Sequence, residues 1–202
     1  IFLLLVTLLQ LPVYSCSTCE EDIAFSKTWD LGGDLTVKFQ SDKYFSYTKD
    51  NEVQLSAHLP GLHEGGEQQA NLVLNHQYTQ GDAQIHQEES RVDIFSSWNN
   101  KLPPDFIHLL YGAARVSWLE QGIFPVHGAC VGNDEEGYVL LMGAPGSGKT
   151  SLTLNSVFKK DCKVFSGDKT LLKFNDKNQL EAISGTHTIT VRMEDIGRWS
   201  GI

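Results

Sequence analysis

The stretch from Gly143 to Thr150 reads GAPGSGKT and matches the phosphate-binding pattern GxxxxGK(S/T). Its glycines allow the main chain to turn tightly and bring N–H groups close to phosphate oxygens. Lys149 adds a mobile positive charge for the β- and γ-phosphates, and the hydroxyl of Thr150 can ligate the accompanying Mg²⁺. These residue types at this spacing predict a site for ATP and Mg²⁺, formed by Gly143, Ala144, Pro145, Gly146, Ser147, Gly148, Lys149, Thr150 and Ser151.

The segments around this stretch have the order that a phosphate-binding loop needs. Tyr138–Met142 is an unbroken apolar run, which predicts a strand buried on both faces. After the loop, Thr150–Phe158 reads as a helix, whose positive end would point at the same phosphates. The competing interpretation is a glycine-rich turn that binds nothing. The residues with core spacing in the predicted helix are Leu154, Val157 and Phe158.

Further strands are predicted on both sides of the loop. Phe124–Val131 reads as a strand, and the turn at 132–137 makes it a hairpin with the strand that enters the loop. After the loop helix, Cys162–Phe165 predicts a short buried strand that ends at Ser166, Gly167 and Asp168. The remaining predictions are a hairpin of Thr170–Phe174 with Gln179–Ile183 and a strand through Ile189, Val191 and Met193.

The amino-terminal part has the residue pattern of a β-rich module. From Ile23 to about Trp98, apolar and polar residues alternate in short runs between turn residues. We therefore predict a small antiparallel module with a structural or substrate-docking role. A helix is predicted next, from Pro103 to Gly122, with an apolar stripe that packs against the following sheet. The predicted strands of the module lie around Leu35–Phe39, Val53–Leu59, Asn71–Tyr78 and Arg91–Trp98.

Composition limits the partners of the chain. The 202 residues carry 16 basic and 25 acidic side chains, and the net charge of −9 argues against a broad basic face for nucleic acid. The predicted boundaries are 1–19 for an apolar leader or fragment edge, 20–100 for the β-rich module and 101–202 for a P-loop core. The start at Ile1 and the stop at Ile202 predict a piece of a longer protein, truncated at its carboxyl end. A homo-oligomer stays open.

The apolar segment Ile1–Leu11 has two interpretations that stay open. It resembles the apolar part of a secretory signal without the basic start, or it is a buried element. Cys16 and Cys19 have the spacing of half a zinc site, but no second pair follows, so ordinary thiols near a chain end are favoured. Because ATP is used inside cells, the loop predicts a cytoplasmic protein without membrane contact. Export is the alternative if residues 1–15 are a signal.

The run from Val126 to Asp168 resembles the catalytic domain of the HPr kinase/phosphorylase family. That family has His-Gly on a strand, a hairpin, the phosphate loop, a helix and a strand ending in an acidic pair. Phosphoenolpyruvate carboxykinase shares this architecture, and the likeness covers about residues 124–202. It implies an α/β fold with a mixed sheet and a β-hairpin feeding the P-loop. It also implies ATP-dependent phosphoryl transfer, often to a serine of a small protein or peptide.

The resemblance assigns roles to two residues outside the loop. Asp168 matches the second acid of the pair, as a Mg²⁺ ligand or as the base toward the acceptor hydroxyl. His127 matches the histidine near the transferred phosphate. On the residues alone, Asp168 also fits a turn cap and His127 a buried core histidine. Gly167 stands where the family has its first acid, which removes either a metal contact or the base.

Three functions are compatible with these residues. The favoured one is a kinase of the HPr kinase type, acting on a hydroxyl of a protein, peptide or small molecule. The alternative is an ATP-binding regulatory module with little or no transfer, which Gly167 motivates. A carboxykinase-like metabolic enzyme is third, because 202 residues cannot hold its large substrate domain. Arg192 and Arg198 could clamp phosphate or substrate, but they are not part of the predicted site. The predicted catalytic residues are Asp168, His127 and Lys149, and the predicted metal ligands are Thr150 and Asp168.

Overall fold

The computed structural model describes residues 22–66, 69–160, 162–191 and 197. Within them the chain folds as a mixed α/β protein with three helices and with sheets that contain parallel and antiparallel strands. Each of those helices is too short or too polar to cross a lipid bilayer. The predictions that fall outside the described residues concern the apolar leader, Cys16, Cys19, Arg192, Met193 and Arg198.

The elements follow one another in two groups along the chain. The first group is β1 (Phe25–Leu31), β2 (Leu35–Ser41), β3 (Phe45–Ser46), α1 (Lys49–His58), β4 (His63–Glu64), β5 (Leu72–Tyr78), β6 (Gln84–Gln87), β7 (Arg91–Ser96) and β8 (Asn100–Lys101). The second group is α2 (Asp105–Glu120), β9 (Ile123–Asn133), β10 (Gly137–Met142), α3 (Lys149–Lys160), β11 (Lys163–Ser166), β12 (Lys169–Phe174) and β13 (Leu180–Gly185).

The first group builds a six-stranded sheet in the order β4-β1-β2-β5-β7-β6. β1 and β2 form an antiparallel hairpin around Gly33 and Asp34, whose φ angles are 77° and 56°. However, β2 pairs with β5, and β5 with β7, in the parallel sense. The prediction of an antiparallel module is therefore wrong. The physical reason is that α1 lies between β2 and β5 and returns the chain, so β5 can run in the same direction as β2.

α1 occupies most of the stretch Val53–Leu59, for which the sequence predicted a strand, so that prediction is also wrong. Leu55 and Leu59 are each 1% exposed, whereas Val53 is 57% exposed. Burial therefore follows the i, i+4 spacing of a helix face rather than the i, i+2 spacing of a strand face. The alternating pattern of these residues satisfied both spacings, and packing selected the helix.

The start of α1 carries local signals that the alternation concealed. Oδ1 of Asn51 accepts a hydrogen bond from the backbone N–H of Thr48 at 2.9 Å. Asp50 and Glu52 lie in the first turn, near the positive end of the helix dipole. A bond from the third helical side chain back to the N-cap N–H is one half of a capping box, and it favours the helix in a segment of mixed propensity.

α2 confirms the helix predicted between residues 103 and 122, and it lies at the centre of the hydrophobic core. The ring of Phe106 packs on that of Phe39 in β2, with 4.8 Å between the ring centroids. Full burial of a side chain of this size contributes about 1.5–3 kcal/mol. The same core cluster includes Ile123 and Leu171 of the second group. The two groups of elements therefore share one core.

The second group builds a sheet in the order β10-β9-β12-β13, with β11 also paired to β9. The hairpins β9–β10 and β12–β13 confirm the two that the sequence predicted. Ser166 of β11 pairs with Cys130, and Lys169 of β12 pairs with His127. The register is therefore the same on the two sides of the bend at 167–168, although it shifts within β11 between Val164 and Ser166. β9 thus holds β10 on one edge and the bend between β11 and β12 on the other.

β10, which leads into the glycine loop, is an edge strand among the described strands and not the buried strand that was predicted. Val139 is 59% exposed and Met142 is 63% exposed. α3 packs mainly on β9 and β11, so it leaves much of β10 open to solvent. An apolar run predicts a strand here, but only the position of the helix determines which strands are covered.

α3 confirms the helix predicted after the loop, although it is less buried than predicted. Leu154 and Val157 are half-buried and Phe158 is exposed. β11 confirms the strand predicted before Asp168, but Val164 and Phe165 are only half-buried and Lys163 is exposed. The strand predicted through residues 189–191 is wrong for these described residues, which form no regular element.

Candidate functional site

The loop between β10 and α3 is a tight and exposed bend of the main chain. Gly146 and Gly148 have φ angles of 82° and 88°, in the left-handed region that glycine adopts without steric cost. A Cβ on Gly143 would lie 2.6 Å from Oγ of Ser147, so a side chain at that position would disturb the turn. The backbone N–H of Ser147 donates to the carbonyl oxygen of Ala144 at 3.1 Å and closes the bend.

Lys149 begins α3, and its ammonium lies on the loop. Nζ donates to the carbonyl oxygen of Gly143 at 2.7 Å and to that of Ala144 at 3.3 Å. An ammonium has three donor hydrogens, so one remains for a ligand. Thr150 and Ser151 follow in the first turn of α3, the former half-buried and the latter exposed. The N–H groups of this turn have no acceptor within the helix, and together with the dipole they favour an anion here.

β9 places this loop next to His127. Met142, the last residue of β10, pairs with Gly128, so the loop leaves the sheet beside the His-Gly pair. The side chain of His127 is 62% exposed. That exposure rules out the interpretation of His127 as a buried core histidine.

His127 and Asp168 form a hydrogen-bonded pair. Nε2 of His127 lies 2.9 Å from Oδ1 of Asp168, and the aspartate side chain is 36% exposed. Asp168 occupies the bend between β11 and β12, on the edge of β9 that faces away from β10. A half-exposed carboxylate with an imidazole beside it can accept a proton or hold a cation. The structure thus brings together two of the predicted site residues.

The main chain at the bend is fixed by Thr186, which lies just after β13 and is fully buried. The backbone N–H groups of Asp168 and Lys169 both donate to Oγ1 of Thr186, at 3.0 and 3.1 Å. The N–H of Gly167 donates to the carbonyl oxygen of Thr186 at 2.8 Å. These bonds hold the Asp168 backbone in place, so its side chain leaves the sheet from a defined position.

Gly167 leaves no room for the acid that the resemblance places there. A Cβ at this position would lie 1.9 Å from the carbonyl oxygen of Thr188. Because that atom belongs to the backbone, any side chain at 167 requires the segment after β13 to move. Where the family has its first acid, this chain instead has a close approach between the backbone at Gly167 and the backbone at Thr188.

Sequence reasoning missed two residues of this region, Lys169 and Thr186. Lys169 directly follows Asp168, and its ammonium lies 3.5 Å from Oδ2 of the aspartate. A lysine that follows an aspartate at the start of a strand usually forms a solvated pair with it, so the sequence carries no signal for Lys169. Thr186 had no local signal either, because its partners lie 17 and 18 residues away.

Two of the predicted ligands suit Mg²⁺ that arrives with a nucleotide. In the described ranges, no three His, Cys, Asp or Glu side chains come together to form a metal site. Mg²⁺ does not need such a cage, since it keeps several waters and uses one or two protein ligands beside substrate phosphates. The hydroxyl of Thr150 and the carboxylate of Asp168 are donors of the required oxygen type. Both residues are therefore of the donor type that Mg²⁺ prefers.

Comparison with known proteins adds no assignment to this geometry. The sequence matches no family model, and no curated protein matches it.

Proposed function

We propose that this protein binds ATP and transfers its γ-phosphoryl group to a hydroxyl of a protein, peptide or small molecule, in the manner of the HPr serine kinases. The observation that carries the proposal is the arrangement about β9, with the glycine loop leaving from its partner on one edge and Asp168 reaching His127 on the other. The transition state of phosphoryl transfer is loose, so a site must mainly stabilise charge and position groups. The loop serves the first need and the His127–Asp168 pair serves the second.

In this proposal the predicted residues share three tasks, and Asp168 takes part in two of them. The loop amides and Lys149 bind the phosphate oxygens, and Asp168, oriented by His127, receives the proton of the acceptor hydroxyl. A bond forms between the acceptor oxygen and the γ-phosphorus, and the bond from that phosphorus to the β–γ bridging oxygen breaks. Thr150 and Asp168 would hold Mg²⁺, which neutralises charge on the β- and γ-phosphate oxygens when bound.

We further propose that the second group of elements is a P-loop core related to HPr kinase and phosphoenolpyruvate carboxykinase, with the β-rich first group before it. The hairpin β9–β10 feeding the loop and the acidic bend on the opposite edge of β9 support this relationship. Because its proposed substrate is ATP, the protein is expected to act in the cytoplasm.

Titration calorimetry with ATP, with and without Mg²⁺, tests the binding half of the proposal. Lys149→Ala should weaken ATP binding about 10- to 100-fold, because a hydrogen bond to a charged group contributes about 1.5–3 kcal/mol. Lys173→Ala, on the exposed part of β12, is the matched control and should bind like the wild type. Asp168→Asn should retain ATP binding and lose transfer of labelled γ-phosphate. Identical isotherms for wild type and Lys149→Ala would remove the basis of the proposal.

A second candidate function is an ATP-binding regulatory module with little or no transfer. The close approach of Gly167 to Thr188 favours it, because the backbone excludes a second carboxylate at that position. This candidate predicts tight ATP binding with negligible turnover in the presence of acceptor hydroxyls. Rapid stoichiometric phosphorylation of an acceptor would exclude it.

A further inference from the structure

Lys169 lies where the acidic bend meets two helices. Nζ is 3.5 Å from Oδ2 of Asp168 and 3.2 Å from Nδ1 of His58, the last residue of α1. It also lies over the ring of Tyr111 in α2, 5.2 Å from the centroid. Its side chain is only 13% exposed. A lysine this buried requires partners for its charge, and these partners come from three separate elements.

The position of Lys169 on β12 directs it at the same carboxylate that His127 contacts. Lys169 and His127 are directly opposite each other on β12 and β9, so their side chains project from the same face of the sheet. Asp168 lies between them because the bend at 167–168 interrupts the alternation of the strand. Oδ1 of Asp168 faces His127 and Oδ2 faces Lys169, so both carboxylate oxygens have a neighbour.

The backbone of Lys169 is fixed as firmly as that of Asp168. Its carbonyl oxygen accepts hydrogen bonds from Oγ of Ser166 at 2.6 Å and from the backbone N–H of Thr186 at 3.0 Å. The side chain therefore starts from a rigid point and ends between α1 and α2.

We propose that Lys169 is a positioning residue for Asp168. It holds Oδ2 so that Oδ1 faces His127, while His58 and Tyr111 hold the lysine in turn. The β-rich first group then contributes to the site through α1, rather than serving only as a structural or docking module. The consequence for catalysis rests on the function proposed above, whereas the positioning of the carboxylate stands on these contacts.

The pKa of His58 depends on this arrangement and can be measured without an enzyme assay. Because Nδ1 of His58 faces the ammonium, it is the acceptor, and the imidazole is neutral with its hydrogen on Nε2. Burial lowers the pKa of His58, and the charges of Lys169 and His108 lower it further, while Asp168 opposes them. Tyr111, which contacts Lys169, is also titratable, and the charge of Arg115 acts on it. Removing the ammonium should therefore raise the pKa of His58.

The test compares Lys169→Met with Lys169→Arg and with the control Lys173→Met, all in the full chain with ¹⁵N-labelled histidine. In Lys169→Met, we expect the ring signals of His127 to shift and the titration of His58 to move to higher pH. Lys173→Met should change neither, because Lys173 is exposed further along the same strand. If Lys169→Met does not fold, Lys169→Gln, which retains a donor without the charge, is read in its place.

The kinetic arm measures kcat for phosphoryl transfer and the ATP dissociation constant of the same variants. Lys169→Met should lower kcat about 10-fold or more, the loss typical when an outer partner of a reacting or ligating group is removed. ATP affinity should stay within about twofold, since the loop is untouched, and Lys169→Arg should recover most of the rate because it keeps the charge.

The NMR experiment and the kinetic experiment test different claims, so each can give a negative result without the other. Unchanged His127 ring signals in Lys169→Met would overturn the positioning role whatever the activity. A fall in ATP affinity equal to the fall in kcat would also overturn it, because that pattern indicates general damage to the fold. If the wild type neither binds ATP nor transfers phosphate while the His127 signals still respond, the proposed function fails and the positioning of Asp168 stands.

Discussion

The role of Gly167 in this fold is steric rather than catalytic. In the sequence it reads as a lost acid beside Asp168. In the fold, its missing side chain lets the carbonyl oxygen of Thr188 approach to 1.9 Å from where a Cβ would stand. That approach keeps the segment after β13 close enough for Thr186 to hold the backbone of the bend.

Gly167→Ala should therefore destabilise the protein by about 1–3 kcal/mol, the usual cost of forcing extra atoms into a packed site. Gly112→Ala is the control, since a Cβ there meets no atom within 4 Å on the exposed side of α2. It should stabilise the protein by about 0.5–1 kcal/mol, because alanine is the better helix former. Urea unfolding measures both, and equal stabilities of the two variants would contradict the packing described here.

α1 and β10 show that the pattern of one segment does not settle its packing. The stretch Val53–Leu59 alternates like a strand but is largely helical, because burial follows Leu55 and Leu59. The run of apolar residues in β10 does form a strand, yet it lies at the edge of its sheet and stays largely exposed. In both cases the neighbours in space, which the segment itself does not encode, determined the outcome.

The helical assignment of α1 has a direct test in two substitutions. Leu59→Ala should cost about 2–5 kcal/mol in the free energy of unfolding, because it leaves a cavity under α1. Val53→Ala should change that free energy by less than about 0.5 kcal/mol, since surface substitutions have small effects. Chemical denaturation of both variants is the measurement. Comparable losses at the two positions would favour a strand and contradict the helix.

Within the described residues, one core spans both groups of elements, and α2 contributes buried side chains to it. Polar contacts follow the same path, because Lys169 of the second group contacts His58 of α1 and Tyr111 of α2. In the first group His76 is buried and His58 is half-buried. Burial lowers the pKa of both His58 and His76 from the ordinary value of 6.5.

These two histidines predict an acid-sensitive fold. Their native pKa values lie below that of the unfolded chain, so the unfolded state binds protons more readily as the pH falls. Stability should be full above pH 6.5, the ordinary histidine pKa, and should decline below it. The exposed carboxylates of Glu64 and Asp134, whose pKa values neighbouring lysines lower, contribute only at more acidic pH, below 4.5. The contribution of the two histidines to stability is therefore lost at a higher pH than that of the carboxylates.

Thermal melting between about pH 7.5 and 5 checks this prediction. The melting temperature should fall with pH, and His58→Gln should make the fall shallower, because glutamine can accept from Lys169 without titrating. His86→Gln, on the exposed strand β6, is the control and should leave the slope unchanged. A melting temperature that does not vary over this range would contradict the role of His58 and His76.

Local patterns predicted much of the second group and less of the first. The hairpins β9–β10 and β12–β13, α2 and α3 followed from apolar runs separated by clear turn residues. The parallel pairing of β2, β5 and β7 did not, because strand order depends on which segments meet across α1. For the candidate site, the sequence pattern singled out the loop residues and Asp168. It did not single out Lys169, because the contacts of that side chain come from α1 and α2.

The glycine loop could be predicted from the sequence alone, because tight turning, exposed N–H groups and a helix start are properties of consecutive residues. The meeting of His127, Asp168 and Lys169 could not, since it requires β9 to pair with β10 on one edge and with β11 and β12 on the other. Covalent neighbours are held in place by short-range geometry, whereas contacts between distant residues exist only after strands pair and side chains are buried together.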